Sequence, residues 1–351
     1  MTELLVPQRQ ELLLRELRAT GAVRVAALAA RFGVSAGTIR RDLSELAESG
    51  RLTRVRGGAI PAGAGAAAAR PAPAAAGPTL GLLVPSATYY YPSVLAGVRE
   101  VAARHGARVV IALADQGRPH DVARLDELRA SGADGLLVAT PGDHHLPSGT
   151  LTALRATGRP FVLLERRPRD PYAPCEFVVS DHHQGAYRAV HHLHKLGHDR
   201  VALYLAGSPT APLVREGHRA AVDRLGLSPA APVLDVGRQA DRGYDAFVDR
   251  CLDTGTRAAL VHSDRDAVEL LQRLRARGLR VPEDLALIAY DDEIAAMAEV
   301  PLTAVAPPKR QLGEQAAQLL LDRLGSGPLP HRQVTIQPRL RVRGSCGQDA
   351  G

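Results

Sequence analysis

Residues 61–78, PAGAGAAAARPAPAAAGP, hold only Pro, Ala, Gly and one Arg, a composition with no side chains from which to build a core. Pro61, Pro71, Pro73 and Pro78, with Gly63, Gly65 and Gly77, confine any helix there to a turn or two around Ala66–Arg70. The stretch reads as a semi-extended tether between a short segment, 1–60, and a long one that begins at residue 79. A chain of 351 residues also exceeds one compact core, and its 45% apolar content is enough to bury at least two.

The formal net charge is +7 and the sequence pI is near 9.7, which favours a polyanionic partner or an anionic small molecule. Arginine richness by itself says little, because arginine outnumbers lysine 42 to two (Lys195 and Lys309) over the whole chain. Position says more. Residues 1–60 hold ten Arg against six acids, a local charge of +4. Three widely spaced cysteines, Cys175, Cys251 and Cys346, suit a reducing compartment and indicate neither a disulfide framework nor a structural zinc. The N-terminus lacks a basic segment followed by an apolar stretch, and no run of 18 apolar residues occurs, so a cytoplasmic protein without membrane insertion is expected.

In the short segment Pro7 can start a helix, with Leu12, Leu13 and Leu17 as its apolar face and Gly21 as its end. A second helix, Val25–Phe32, buries Leu28 and Phe32. Gly33 then supplies a tight turn, Val34 a small apolar contact, and Ser35 the N-cap of a third helix whose Ile39, Leu43 and Leu46 face inward. This is helix-turn-helix spacing. It leaves Ser35, Ala36, Gly37, Thr38, Arg40, Arg41 and Ser44 on or near the side that reaches base edges and phosphates, and a guanidinium at Arg40 or Arg41 suits guanine or a phosphate. The run RLTRVRGGAI that follows Gly50 alternates apolar and basic residues. It predicts a β-wing with Arg54 and Arg56 on its strands and Gly57-Gly58 in its turn.

From Leu80 onward, apolar runs at 80–84, 108–114, 135–139, 160–165, 177–180, 200–206, 258–262 and 285–290 read as strands buried on both faces. They alternate with amphipathic stretches such as Ser93–His105 and Arg265–Arg277. The order predicts an α/β fold, and its many strands favour two similar lobes, each a parallel sheet flanked by helices.

Two resemblances sharpen these expectations. Arg9–Ile60 resembles the DeoR-type winged helix-turn-helix in its Gly33-Val34-Ser35 turn, its Thr38–Leu43 recognition motif and its Gly57-Gly58 wing. That implies a DNA-binding domain over 1–60. Residues 79–345 resemble the effector domain of LacI/GalR-type regulators, a two-lobed fold like that of periplasmic sugar-binding proteins. The resemblance is carried by LGHDRVALYLAG (196–207), REGHRAAVDRLGL (215–227), the stretch 260–292 and PLTAVAPP (301–308). It implies lobes of about 79–178 with 304–326 and 179–303 with 328–345, and leaves 346–351 as a tail. A cleft would lie between the lobes, with an effector such as a sugar or sugar derivative inside.

Carried over residue by residue, the resemblance places Tyr90 and Tyr91 at aromatic ligand-stacking positions; with so few aromatic residues in the chain, the Tyr89–Tyr91 run itself reads as a site, with one of the three in the core. Glu165 and Asp264 become carboxylates for hydroxyl groups, with Arg166 beside the first. Arg215 stands one residue past the family's cleft arginine, where this chain has Val214. Arg238 stands near a position often occupied by Trp. Asp181 and the Asp291-Asp292-Glu293 run are read as structural. The histidines 191, 194 and 198 share a helix face without a completing carboxylate or Cys, so no metal and no cofactor are expected. The resulting expectation is a homodimeric repressor of a double-stranded DNA operator, controlled by a small molecule and not an enzyme. Two alternatives are a sugar-processing or nucleotide-binding protein with a DNA-binding appendage, and a transport binding protein, which the missing leader and the reader argue against.

Overall fold

The computed structural model describes residues 6–20, 23–55, 58–61, 77–114, 122–237, 239, 242–326 and 329–347. The chain forms two compact units, Met1–Ala76 and Gly77–Gly351. Of the expected tether, 62–76 lie outside the described residues, while Pro61 closes a strand and Pro78 leads into the next.

In the first unit, helix α1 (Val6–Thr20) has Pro7 in its first turn. Strand β1 (Val23–Arg24), α2 (Val25–Phe32), α3 (Ala36–Glu48), β2 (Leu52–Val55) and β3 (Gly58–Pro61) follow. The strands form one antiparallel sheet in the order β1-β3-β2. Leu13, Leu14, Leu17, Leu28, Ile39, Leu43, Leu46 and Leu52 fill the core. The inner face of α1 therefore differs from the expected one: Leu14 is buried, whereas Leu12 is 39% exposed. At 100° per residue, a stripe centred on Leu13 and Leu17 has room for one more neighbour, on the Leu14 side. Phe32 is half-buried, and β1 is an addition to the expected elements, since a two-residue strand leaves no periodic signal. Between α1 and α3 lies a buried ion pair: Arg9 donates to Asp42 from Nε (2.6 Å) and Nη2 (3.1 Å).

The second unit runs β4 (Thr79–Val84), α4 (Tyr91–Arg104), β5 (Arg108–Leu113), α5 (Val122–Ala130), β6 (Gly135–Val138), β7 (His145–Leu146), α6 (Ser148–Ala156), β8 (Phe161–Leu164), β9 (Arg167–Pro168) and β10 (Glu176–Ser180). It continues through α7 (His182–Lys195), β11 (Ala202–Leu205), α8 (Ala211–Leu225), β12 (Val233–Asp235), α9 (Tyr244–Asp253), β13 (Ala258–His262), α10 (Asp264–Ala276), β14 (Ala286–Tyr290), β15 (Thr303–Ala306), α11 (Lys309–Ser326), β16 (Gln333–Ile336) and β17 (Arg339–Arg341). Two six-stranded sheets result. The first, β16-β10-β8-β6-β4-β5, is parallel throughout; the second, β12-β11-β13-β14-β15-β17, is parallel except for β17.

The central strands are buried, as double-sided coverage requires. Strand β5 departs from that expectation. It is a sheet edge, so Ile111 and Leu113 remain exposed although the run RVVIALA is as apolar as its neighbours. Helices pack closely at glycines: a Cβ on Gly97 of α4 would run into the Arg310 carbonyl of α11, and one on Gly217 of α8 into the His183 carbonyl of α7.

The chain passes between the sheets three times, and two of the crossings correct the expected lobe limits. Strand β15 belongs to the second sheet, paired with β14, and β16 to the first, paired with β10. The crossings come after these strands, at Pro307-Pro308 and Pro338, where the missing N–H ends a ladder. The C-terminal tail is also shorter than expected. A 3₁₀ turn, Gly344–Cys346, buries Ser345 and Cys346, with Ser345 Oγ donating to the Leu287 carbonyl (2.7 Å) and accepting from Thr303 N (2.8 Å). No described helix is long and apolar enough to cross a membrane.

Candidate DNA-reading surface and effector cleft

On the first unit, Gly33 takes φ 65° in the turn between α2 and α3, a conformation that favours glycine. Ser35 caps α3: its Oγ accepts from Thr38 N at 3.0 Å and lies 2.9 Å from Thr38 Oγ1. Burial of Ile39, Asp42, Leu43 and Leu46 turns Gly37, Arg40 and Arg41 outward. Ala36, Thr38 and Ser44 are half-buried, and Ser44 Oγ donates to the Arg40 carbonyl (2.9 Å). The exposed N-terminal half of α3 thus combines a helix N-terminus with two guanidinium groups, both attractive to phosphate.

In the wing, Arg54 stands opposite Ala59 in the hairpin, and its side chain lies outside the described residues, as do Arg56 and Gly57 entirely. Gly58 is not in the turn. It is a buried strand residue paired with Val55 on one side and Arg24 on the other.

In the second unit, the C-terminal ends of both sheets meet at a cavity of about 450 Å³ between the lobes, where open α/β sheets place ligands. Tyr90, Tyr91, Glu165 and Arg166 line it from the first lobe, Thr210 and His262 from the second. Glu165 is 5% exposed and leaves β8 with φ 51°. Its carboxylate accepts from Tyr90 OH (2.5 Å), Ser180 Oγ (2.6 Å) and Ser180 N (3.0 Å), and His182 Nε2 stands 3.4 Å away without hydrogen-bond alignment. Burial opposes its ionisation, but the imidazole of His182 and the donors Ser180 and Tyr90 outweigh it and lower the pKa to about 2. Burial and that same carboxylate push the Tyr90 phenol well above its ordinary value, so it remains a donor. Tyr91 is buried and packs edge-on against Tyr90, ring centroids 5.5 Å apart.

Arg166 is fully buried, with Nε and Nη2 on the Thr140 carbonyl (2.9 and 2.5 Å) and Nη1 on the Glu165 carbonyl (2.7 Å). Its guanidinium ties two strand-exit loops together while forming part of the cavity wall. Asp264 has no exposed surface. It accepts from Glu293 N (2.6 Å), Ile294 N (2.8 Å) and the Tyr89 hydroxyl, and stands behind the cavity wall.

Arg215 is not in the cleft. Val214, Gly217 and His218 occupy the inner face of α8, which carries Arg215 round to the surface and a pairing with Asp235. Arg238 lies outside the described residues.

Several cleft groups escaped sequence reasoning. Asp291 lines the cavity instead of serving only its loop. His262, depressed in pKa by burial, holds Thr210 Oγ1 at 3.1 Å through Nε2, while its buried Nδ1 has no partner among the described residues. The buried Lys309 amine binds the Asp291 carbonyl and the Glu293 carboxylate and lies 5.1 Å from the Tyr90 ring centroid. Asp181 caps α7 through Gln184 N (2.9 Å). Among the described residues the one grouping of metal-type ligands is Asp143, His144 and His145, at the start of β7, and it includes none of the α7 histidines.

Comparison with known proteins matches a different family to each unit. A DeoR-like helix-turn-helix domain matches residues 9–62, and a periplasmic binding protein-like domain matches 190–346. The HTH-type transcriptional regulator CelR of Thermobifida fusca is 30% identical over 268 residues, 73% of this chain and 76% of that protein. The ribose operon repressor of Escherichia coli is 29% identical over 275 residues, 76% of this chain and 82% of that one. The arabinose metabolism transcriptional repressor of Geobacillus stearothermophilus is 26% identical over 341 residues, 91% of this chain and 89% of that one. Among solved structures, a ribose-bound LacI family regulator from Enterococcus faecium superposes with a TM-score of 0.63 at 25% identity, covering 76% of this chain and 98% of that one. A CelR–cellobiose complex gives 0.65 at 25% identity, covering 92% of this chain and 98% of that one.

Proposed function

We propose, from the premise that this chain belongs to the LacI family of transcriptional regulators and carries a DeoR-like reader before its effector domain, that it is a repressor released or recruited by a sugar in the interlobe cleft. The observation that carries the sugar reading is the Glu165 cluster. An ionised carboxylate, a protonated tyrosine and the Thr210 hydroxyl held by His262 surround one cavity with acceptors and donors, beside a tyrosine face suited to the C–H face of a sugar ring. The sugar-bound and sugar-repressor relatives support it.

On this reading the regulator is a cytoplasmic homodimer on a pseudo-palindromic operator, as two identical readers require. The exposed Ile111 and Leu113 on edge strand β5, and Met297, 75% exposed, are apolar surface available to a second copy. A near-complete switch of DNA occupancy needs a difference in effector affinity between the two states of about 5.5 kcal/mol.

Arg40 and Arg41 are the assigned DNA-binding side chains. Genomic fragments retained by the protein identify the operator, and competition with sugars identifies the effector. Replacing both arginines by Ala is expected to weaken operator binding and to reduce the salt dependence of log K by about 0.9 for each phosphate no longer neutralised. Unchanged affinity with an unchanged salt slope would mean that α3 is not the reading helix.

A further inference from the structure

We propose that Tyr89 sets the length of the effector: its side chain partitions the interlobe space, so the protein takes a single sugar ring and excludes a second, glycosidically linked one. The proposal rests on the sugar reading above.

Tyr89 belongs to the loop between β4 and α4 of the first lobe, yet its hydroxyl donates to two carboxylates of the second, Asp264 and Asp291, the latter at 3.2 Å. Its backbone holds φ 61°, a conformation uncommon for a bulky side chain, and this aims the ring across the cleft. The Arg265 guanidinium covers the ring face, 4.1 Å from its centroid. The side chain is therefore fixed from three directions. Burial and the two carboxylates raise its pKa, so it stays a phenol and a donor. Swinging it away would leave Asp264 and Asp291 without the hydroxyl they share.

Tyr89 is a wall of two cavities. One is the 450 Å³ space beside Glu165, Arg166 and Thr210. The other, of about 810 Å³, extends past Arg242, Tyr244, Ser263 and Glu269. The second is lined by hydrogen-bonding side chains, the lining that a further hydroxylated ring uses. Eight residues line both, and among them Tyr89 is the first-lobe residue whose side chain reaches across to bond the second lobe, which makes its ring the proposed divider. Removing the ring joins the two spaces and releases the Asp264 and Asp291 carboxylates as hydroxyl acceptors at the junction.

The test is calorimetric titration of the full chain with D-ribose, L-arabinose, D-glucose, maltose and cellobiose, for the wild type, Tyr89→Ala and Tyr89→Phe. The wild type is expected to bind a monosaccharide at least about tenfold more tightly than either disaccharide. Tyr89→Ala is expected to shift that ratio toward the disaccharides by about tenfold or more. Tyr89→Phe keeps the ring under Arg265 but loses the bonds to Asp264 and Asp291, and is expected to shift the ratio less than Tyr89→Ala. Thermal unfolding checks that each variant is folded, and Tyr89→Ser replaces Tyr89→Ala if the latter is not. Wild-type binding of disaccharides as tight as that of monosaccharides, or an unmoved ratio in a folded truncation variant, overturns the partition while leaving the sugar reading intact. Binding of no sugar by either wild type or truncation variant overturns both.

Discussion

Replacing Asp42 by Ala tests what holds the DNA reader together, because electrostatics and folding pull its outcome in opposite directions. The substitution adds a positive charge to a basic unit, so if DNA binding were governed by net charge alone, affinity would rise. Asp42, however, is 2% exposed and receives two hydrogen bonds from Arg9, itself 6% exposed, where α1 packs on α3. Removing one member of such a buried pair costs about 3–5 kcal/mol. A unit of this size, with one small cluster of buried apolar residues, has a total stability of roughly 3–8 kcal/mol at typical per-residue values. Most of that margin is lost. Operator binding by the full chain, followed by fluorescence anisotropy, is expected to fall at least about tenfold at 37 °C, since about 1.4 kcal/mol of net destabilisation already gives that factor once unfolding is appreciable. Sugar-induced stabilisation of the second unit should persist, because that unit has hydrophobic cores of its own. Replacing both partners together, Arg9→Met with Asp42→Leu, should recover most of the loss, since apolar packing substitutes well for a buried ion pair. An Asp42→Ala protein that binds the operator as tightly as the wild type, or more tightly, refutes the argument.

Two further outcomes follow from the second unit. The pKa of Glu165 is depressed from the ordinary 4.5 to about 2, so its stabilising contribution is present above about pH 4.5 and disappears as pH falls toward 2. Urea unfolding of the second unit across that window should show a smaller pH dependence in Glu165→Gln, and an equal slope would deny the carboxylate its role. Gly97→Ala forces a methyl into the Arg310 carbonyl where α4 meets α11, and overpacking of that kind typically costs about 1–3 kcal/mol. A denaturation midpoint at or above the wild-type value would show that the two helices separate freely.

The elements of this protein are legible where a periodic pattern is long and its burial one-sided or complete. The recognition helix shows its inner face at Ile39, Leu43 and Leu46 and its cap at Ser35, and the central strands stand out as apolar runs. What is missing from sequence spacing is pairing order. Strand β5 looks like its buried neighbours because edge position is a property of that order. Thr303–Ala306 and Gln333–Ile336 are four-residue strands whose sheet membership depends on partners far away in the chain. In the cleft, Tyr90, Tyr91, Glu165 and Arg166 line one cavity. Arg215 turns outward through a single helical step, and Asp264 is already engaged by Tyr89. The Tyr89–Tyr91 run announces an aromatic site, but which ring crosses to the other lobe depends on one backbone dihedral.

The distribution of the last strands governs the order in which the protein becomes functional during synthesis. Strand β16 completes the first sheet and β17 the second, so the first lobe is whole only after Ile336 has left the exit tunnel and the second only after Arg341. The reader is finished at Pro61. Because domains fold as they emerge, a nascent chain owns its DNA-binding surface well before it owns the cleft that controls it. A nonsense codon soon after the reader leaves a product that keeps the reading helix but has neither the cleft nor the second-unit surface through which two readers would pair. Loss of the final two strands damages both lobes at once, so late truncations are expected to abolish the response to sugar rather than to weaken it.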